Sequence, residues 1–286
     1  MKRLVAIGLA ALVTFLLVAR SAEAQLETPR PSPKGTVTQK VGVMDVSVTY
    51  SRPGIKGRKI FGGLVPYGEV WRTGANEATT ISFSDDVALE GHKIPAGEYT
   101  LYTIPGKDEW TIIINTKPSW GTQYDEKEDV LRFKVKPERS PSPIETFTIN
   151  VADITTSAAN IELAWENTVV KFKMEFDVDA KLMAQIKEAM DNPYSGVAQT
   201  YYRSADYYFT TNKDLNQALE WVDKSLEING DAFWVWRLKS QIQAGLKDYK
   251  SAIATAEIGM AKAKKAENKQ YVKFNEDAIA EWKKMK

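Results

Sequence analysis

The feature that most constrains the fold is a change of hydrophobic period along the chain. Up to about residue 178, short runs alternate apolar and polar residues, as in Val170-Lys171-Phe172-Lys173-Met174. This alternation is typical of strands that have one buried side and one side in water. Glycine, proline and aspartate turns separate the runs, and no helical pattern lies between them. The period therefore predicts antiparallel strands, because a parallel sheet would need crossover helices.

Short strands follow one another through this whole part of the chain. We predict them at residues 46–50, 79–83, 87–89, 99–104, 110–115, 131–135, 146–151, 161–165 and 170–178. Strands of this length and spacing predict an all-β antiparallel sandwich of the jelly-roll or immunoglobulin-like type. We assign this domain to residues 36–179.

A helical period replaces the alternation after residue 179. Residues 180–198 are predicted as a connecting helix that stops near Asn192-Pro193. Beyond it, Lys213-Asp214-Leu215 recurs as Lys247-Asp248-Tyr249, an offset of 34 residues. That offset is the spacing of tetratricopeptide repeats, each of which pairs two helices.

The C-terminal part, residues 199–286, therefore resembles tetratricopeptide-like helical repeats. Two repeats would occupy residues 199–266, and residues 271–285 would form a closing helix. About three repeats are normally needed to bury a continuous core. We therefore expect the pair to rely on the closing helix, the β domain or a partner. As a whole, the chain is predicted to be α+β.

The first 24 residues have the pattern of a signal peptide. A basic start, Met1-Lys2-Arg3, precedes a long apolar run, and Ala22-Glu23-Ala24 has the form of a cleavage site. The run is at most one membrane width, so an uncleaved anchor is the alternative. Residues 25–35 are rich in proline and polar residues and predict a disordered leader. Export of the chain is the expected outcome.

Charge and cysteine content exclude several classes of protein. Loss of residues 1–24 would change the formal net charge from +1 to −1, because three basic residues and one acidic residue leave with them. A near-neutral chain lacks the basic excess of proteins that bind nucleic acid or anionic membranes. The chain has no cysteine, so disulfides, thiol catalysis and cysteine metal sites are excluded. We predict no nucleic-acid partner and, after cleavage, no membrane association.

Residues 61–84 concentrate unusual residue types in little regular structure. The stretch reads FGGLVPYGEVWRTGANEATTISFS and combines glycines, a proline and aromatics with a dense polar run. It precedes a predicted strand, so it should lie at one end of the sandwich. Such loops carry many binding and catalytic residues, which makes this stretch the leading candidate for a site.

Several long strings in the β domain resemble the DUF2911 family. The matching strings are Tyr50-Ser51-Arg52-Pro53, Gly57-Arg58-Lys59-Ile60-Phe61-Gly62, Val65-Pro66-Tyr67-Gly68, Trp71-Arg72-Thr73-Gly74-Ala75-Asn76-Glu77, Pro95-Ala96-Gly97-Glu98-Tyr99 and Trp110-Thr111-Ile112-Ile113-Ile114-Asn115. The resemblance covers about residues 36–178. It implies an exported all-β domain, periplasmic or secreted, of a Gram-negative, Bacteroidetes-like bacterium. The family has no established activity, so the resemblance supplies no catalytic residues.

Catalytic signatures are missing from the sequence. His92 is the single histidine, which excludes paired-histidine zinc sites. There is no G-x-S-x-G elbow, and the glycines near Phe61 do not open a helix as phosphate loops do. We therefore predict no metal and no cofactor, and whether the protein is an enzyme stays open, with a non-enzyme favoured.

Six side chains in the two glycine-rich loops form the candidate ligand site. An arginine fork binds carboxylates or phosphates, and a tryptophan face stacks on sugars, so the expected ligand is an anionic small molecule or a glycan. The candidate residues are Arg52, Arg58, Trp71, Arg72, Asn76 and Glu77. A structural interpretation is also compatible with the sequence and is the favoured one. In it Trp71 closes the core, Arg72 and Glu77 form an ion pair, and Asn76 occupies a turn with positive φ.

Three functions remain compatible with the sequence. The first is a non-catalytic binding module of the cell envelope, whose helical repeats at 199–286 bind a protein or peptide. Trp234 and Trp236 could belong to such a groove or to the core between helices. The second is a secreted glycan hydrolase or lyase that works through carboxylates, with Glu77 the leading participant. The third is a purely structural envelope protein.

Overall fold

The computed structural model describes residues 28–117, 123–191 and 197–285. The predicted signal peptide, residues 1–24, lies outside these ranges. The chain divides into two compact units, with the boundary between Val178 and Asp179. In the described ranges, no helix is both long enough and apolar enough to cross a membrane.

The first unit is built from ten described strands in two antiparallel sheets. The strands are β1 (Lys34–Val41), β2 (Met44–Ser51), β3 (Thr79–Phe83), β4 (Val87–Leu89), β5 (His92–Ile94), β6 (Gly97–Ile104), β7 (Trp110–Asn115), β8 (Asp129–Val135), β9 (Pro137–Ala152) and β10 (Ala158–Glu175). One sheet has the order β1-β2-β3-β6-β7-β8, and the other has the order β5-β4-β10-β9.

Both sheets contribute side chains to one hydrophobic core. Val48 and Ile81 from the six-stranded sheet, and Ile149 and Phe172 from the four-stranded sheet, are each at most 1% exposed. Alternate residues of β2 are buried, as the period-two pattern predicts. Burial of this apolar surface is the main force that holds the two sheets together. The predicted antiparallel sandwich is confirmed.

The positions of several short strands agree closely with the prediction. The predicted strands at 79–83, 87–89 and 110–115 coincide with β3, β4 and β7. The predicted strands at 161–165 and 170–178 are one continuous strand, β10, whose pairing with β9 is interrupted by register shifts.

Two strands extend into segments that the sequence did not mark as strands. Lys34, the first residue of β1, falls inside the predicted leader of residues 25–35. The irregular leader is therefore shorter than predicted. β1 lies at a sheet edge and has little apolar content, yet it pairs along its whole length with β2. The first half of β9 carries three prolines, which an edge strand tolerates.

The second unit contains six described helices. They are α1 (Val178–Asp191), α2 (Ala198–Thr210), α3 (Leu215–Ile228), α4 (Phe233–Gly245), α5 (Tyr249–Lys265) and α6 (Lys269–Trp282). α1 confirms the helix predicted after residue 179 as far as Asp191, and the predicted stop at Asn192-Pro193 lies outside the described residues. α2 packs on α3, α4 on α5, and α6 on α5. The predicted α+β organisation, an antiparallel β unit followed by helices, is confirmed.

Equivalent caps start the second helix of each pair. The Asp214 carboxylate accepts hydrogen bonds from the backbone N–H groups of Asn216 and Gln217, and Asp248 caps α5 in the same way. Such caps satisfy N–H groups that have no partner within the helix. The first residues of these helices, Leu215 and Tyr249, are 34 residues apart. The spacing seen in the sequence is therefore the spacing of the helices.

Candidate functional site

Trp71, at the centre of the stretch 61–84, lies in the core of the sandwich. Its indole stacks on Trp165 with 5.9 Å between ring centroids and an interplanar angle of 18°. Its ring also contacts Phe147, at a centroid distance of 5.1 Å. The indole N–H donates to the backbone oxygen of Gly74 at 3.0 Å, so the polar atom is satisfied inside the loop. Because only 7% of Trp71 is exposed, its face is occupied by protein.

The polar residues that follow Trp71 hold a tight turn. Thr73 and Asn76 adopt positive φ values of 54° and 59°, which are unusual for residues other than glycine. The side-chain N–H₂ of Asn76 donates to the backbone oxygen of Ser32 and to the hydroxyl of Ser51, both at 3.2 Å. The expected role of Asn76 as a turn residue with positive φ is confirmed.

The two arginines of the first loop bind nearby protein oxygens. Arg58 donates to the backbone oxygens of Ile55 and Gly54, at 2.9 and 2.7 Å. Arg52 donates to the backbone oxygen of Phe147 at 3.3 Å and to a threonine hydroxyl on β9. The guanidinium group of Arg58 therefore binds its own loop, and that of Arg52 binds β9.

Glu77 pairs with a residue of the leader segment. Its Oε1 accepts from Nη1 of Arg30 at 3.1 Å, and no ion pair between Arg72 and Glu77 occurs among the described residues. The predicted Arg72–Glu77 ion pair is therefore wrong. Nε of Arg72 and Oε2 of Glu77 are both buried without a hydrogen-bond partner in the described chain.

The pKa of Glu77 is shifted in the wrong direction for a general acid. A hydrogen bond from its own backbone N–H lowers the pKa most, and the Arg30 guanidinium lowers it further. A glycosidase acid needs a raised pKa so that it stays protonated near neutral pH. The structure therefore gives no support to Glu77 in that role.

The Arg30–Glu77 pair should release the leader segment at acidic pH. Because the pKa of Glu77 is lowered from 4.5 in the folded state, the pair stabilises the fold above pH 4.5. That contribution is lost as the pH falls through the lower folded value. NMR spectra recorded between about pH 7 and pH 2 should show the Arg30 and Ser32 amides shifting below pH 4.5. Glu77→Gln should lack this transition, and a transition above pH 4.5 in the wild type would contradict the assignment.

Arg237 of α4 stands out among the charged residues of the helical unit. Its guanidinium carbon lies 4.7 Å from the centroid of the Phe274 ring on α6. Its Nη1 is buried and has no hydrogen-bond partner among the described residues. Burial lowers its pKa, and Tyr271 opposes that shift. An arginine in this state is a cation that has lost water and gained no anion.

Three helices contribute to the surface around this arginine. α4 contacts both α2 and α6. Burial raises the pKa of Tyr202 on α2, and Asp206 and Tyr271 add to the rise. Tyr271 of α6 therefore lies close enough to act on both Tyr202 and Arg237. We call the four residues Tyr202, Arg237, Tyr271 and Phe274 the Arg237 face.

Asp206 brings a second desolvated charge to this part of α2. It lies one helical turn after Tyr202, and burial alone raises its pKa. Its carboxylate makes no ion pair in the part of the chain that the structure describes. The Arg237 face thus offers hydrogen-bond donors from Arg237 beside exposed aromatic area on Phe274, and Asp206 lies on the same helix as Tyr202.

Arg237 is not among the residues predicted from the sequence. Trp234 and Trp236, which were considered for a groove, both pack against the helical core. Trp236 also donates from its indole N–H to the backbone oxygen of Gly230. These contacts confirm the core interpretation of the two tryptophans. The one available signal for Arg237 was a single charge in the run Phe-Trp-Val-Trp-Arg-Leu at the start of a helix.

Comparison with known families identifies the β unit. The family model of DUF2911, a protein family of unknown function, matches residues 32–174, half of the chain. The chain belongs to the DUF2911 family. The residues of the aromatic cluster around Trp71 and the turn behind it all lie within the matched range.

Comparison with curated proteins and solved structures adds a distant likeness. No curated protein matches the chain. A solved complex of the TPR2B domain of yeast Sti1 with pHsp70 is similar to it at 16% identity, with a TM-score of 0.31. The match covers 32% of this chain and 72% of that chain. An identity and a TM-score this low support no inference about function.

Proposed function

We propose that this protein is an exported binding module of the bacterial envelope whose helical unit binds a polypeptide segment carrying a carboxylate. In this proposal the helices work as tetratricopeptide-like repeats, with α6 closing the pair. The 34-residue spacing of the capped helices α3 and α5 supports that architecture. The signal-peptide pattern of residues 1–24 supports export.

The observation that carries the proposal is the state of Arg237. Its guanidinium is partly removed from water, and Nη1 has no partner among the described residues. A carboxylate accepts two parallel hydrogen bonds from an arginine fork, which is the strongest common way to satisfy such a group. Binding a carboxylate would therefore offset a desolvation cost that the free protein already carries.

The surroundings of Arg237 favour a polypeptide over a simple anion. Asp206 can accept hydrogen bonds from backbone N–H or hydroxyl groups of a bound segment. Phe274, which is 39% exposed, and the neighbouring tyrosines offer apolar area for side chains next to the carboxylate. Rigid helical pairs commonly present such faces to extended partners.

Selection from a peptide library would test the proposal. The whole chain would be used as bait, with Arg237→Met as the variant and Lys250→Met as the control. Lys250 is an exposed lysine on α5, outside the Arg237 face. The wild type and the control should enrich peptides with an acidic side chain or a free C-terminal carboxylate, and Arg237→Met should not. Equal enrichment by all three proteins would contradict the proposal.

A further inference from the structure

The turn between α3 and α4 contains the single Asn-Gly step of the sequence, Asn229-Gly230. This turn joins the first pair of helices to the second. An asparagine followed by glycine is prone to one covalent reaction, because glycine has no side chain to hinder attack by its backbone nitrogen on the asparagine side chain. In a folded protein the reaction depends on three groups, which are the attacking nitrogen, the side-chain carbonyl and the side-chain amide that leaves.

The attacking nitrogen is available in this turn. The backbone N–H of Gly230 makes no hydrogen bond in the part of the chain that the structure describes, and Gly230 is exposed. The hydrogen-bond ladder of α3 ends one residue earlier, where the N–H of Asn229 donates to the backbone oxygen of Ser225 at 3.0 Å. A base in solution can therefore reach the nitrogen of Gly230 and remove its proton.

The side chain of Asn229 is activated for attack. Its Oδ1 accepts a hydrogen bond from the backbone N–H of Asp231 at 3.3 Å. A donor at this oxygen stabilises the negative charge that develops there when a nucleophile adds to the carbonyl carbon. Asn229 is exposed, and its N–H₂ group makes no hydrogen bond among the described residues, so it is free to leave as ammonia. With φ at −137° and ψ at 81°, the backbone of Asn229 is outside the helical conformation.

Asn212, in the turn between α2 and α3, lacks the available nitrogen. It is as openly exposed as Asn229, but the N–H of the next residue, Lys213, donates to the backbone oxygen of Tyr208 at 2.8 Å. The nitrogen that would attack is therefore held in a hydrogen bond, and the lysine side chain crowds it further. Asn212 serves as an internal control within the same unit.

We propose that Asn229 is a self-modification site that converts to isoaspartate. The deprotonated nitrogen of Gly230 attacks Cγ of Asn229, a five-membered succinimide ring closes, and the side-chain amide takes up a proton and leaves as ammonia. Water then opens the ring. Hydrolysis of the bond to the α-carbonyl leaves the main chain running through Cγ and gives isoaspartate, whereas hydrolysis of the bond to Cγ gives aspartate. The net reaction consumes one water and releases one ammonia, without any change of oxidation state.

Isoaspartate at this position should weaken the junction between the helical pairs. It lengthens the main chain by one methylene group and places a negative charge at the C-terminal end of α3, where the helix dipole disfavours an anion. Gly230 accepts a hydrogen bond from the Trp236 indole at 2.9 Å, and Asp231 pairs with Lys262 of α5 at 2.9 Å. Both contacts lie within two residues of the altered bond. The reaction is independent of the Arg237 face, because none of the reacting atoms belongs to it.

Incubation of the whole chain at about pH 9, followed by peptide mapping with mass spectrometry, tests the modification. Asn229 should become a mixture of isoaspartate and aspartate, and Asn212 should keep its amide. Conversion should be slower at about pH 6, because the attacking nitrogen must lose its proton. Gly230→Ala should convert at least about tenfold more slowly, because the added methyl group hinders the nitrogen. This variant should fold, since Gly230 has no positive φ and an added Cβ would meet only the backbone oxygen of Leu226, at 3.4 Å.

Thermal unfolding of the same samples tests the effect on the junction. The Tm of the helical unit, followed by far-UV circular dichroism of the whole chain, should fall by about 4 °C or more once Asn229 has converted. Gly230→Ala incubated in the same way should keep its Tm. Freshly prepared Asn229→Asp adds the charge without the longer main chain and should show only part of the fall. Retention of the amide at Asn229, equal conversion of Asn212 or of Gly230→Ala, or an unchanged Tm of the converted protein would each overturn the proposal.

Discussion

Trp71→Ala is expected to lower the free energy of unfolding of the β unit by about 3–5 kcal/mol. Trp71 is only 7% exposed, and four aromatic rings surround its indole, among them Trp165 at 5.9 Å and Phe147 at 5.1 Å. Alanine would leave a cavity that these rings cannot fill, since core side chains relax only partly. It would also remove the hydrogen bond from the indole to Gly74, which holds the turn.

Hydrogen exchange of the β-unit amides measures this loss without interference from the helical unit. Leu64→Ala provides a matched control, because Leu64 belongs to the same stretch and is 48% exposed. Its effect should stay within about 0.5 kcal/mol. The loss of unfolding free energy for Trp71→Phe should lie between those for Trp71→Ala and Leu64→Ala, because phenylalanine keeps an aromatic ring but loses the N–H donor. A loss below about 1 kcal/mol for Trp71→Ala would contradict the structural role.

Arg237→Met is expected to weaken binding of an acidic peptide by about 2 kcal/mol or more, roughly thirtyfold. The wild-type guanidinium is partly desolvated and its Nη1 has no partner among the described residues, so a bound carboxylate would offset a cost that the free protein already carries. Methionine keeps an unbranched apolar stem against Phe274 but supplies neither charge nor fork.

The same substitution should leave the fold intact. Removing an unpaired, desolvated cation gives no destabilisation beyond the loss of its contact with the ring. The Tm of Arg237→Met should therefore equal or exceed that of the wild type, and Arg237→Lys should retain only part of the affinity because an ammonium group lacks the planar fork. Fluorescence anisotropy of a labelled acidic peptide, with Lys250→Met as control, measures the affinities. A large fall in Tm would assign Arg237 to the fold instead.

Alternating residues were sufficient to predict strands such as β3 and β8, because the alternate positions in the sequence are the buried positions of the strand. β1 and the first half of β9 escaped prediction for a physical reason. Both lie at sheet edges, where backbone pairing with one neighbour can hold a strand that has little apolar content. That pairing depends on β2 and β10, which the local sequence does not reveal.

The residue types of the stretch 61–84 predict a candidate site, but they have two explanations. Glycines, an asparagine with positive φ and a tryptophan can serve a ligand, and they can also close the end of a sandwich. Around Trp71 the structure supports the second explanation. Phe61, from the beginning of the same stretch, packs edge to face on Trp71 with 6.0 Å between ring centroids and belongs to the same core. Arg237 could not be singled out because its environment depends on contacts with a different helix, such as the Phe274 ring on α6.

The central claim is that recognition of a carboxylate depends on Arg237. The most direct test is a double-mutant cycle with a peptide enriched by the wild-type chain and its analogue in which the carboxylate is replaced by an amide. The wild type should prefer the acidic peptide by about tenfold or more, and Arg237→Met should bind both peptides equally weakly. If Arg237→Met keeps the full preference for the acidic peptide, the carboxylate is recognised elsewhere and the claim is wrong.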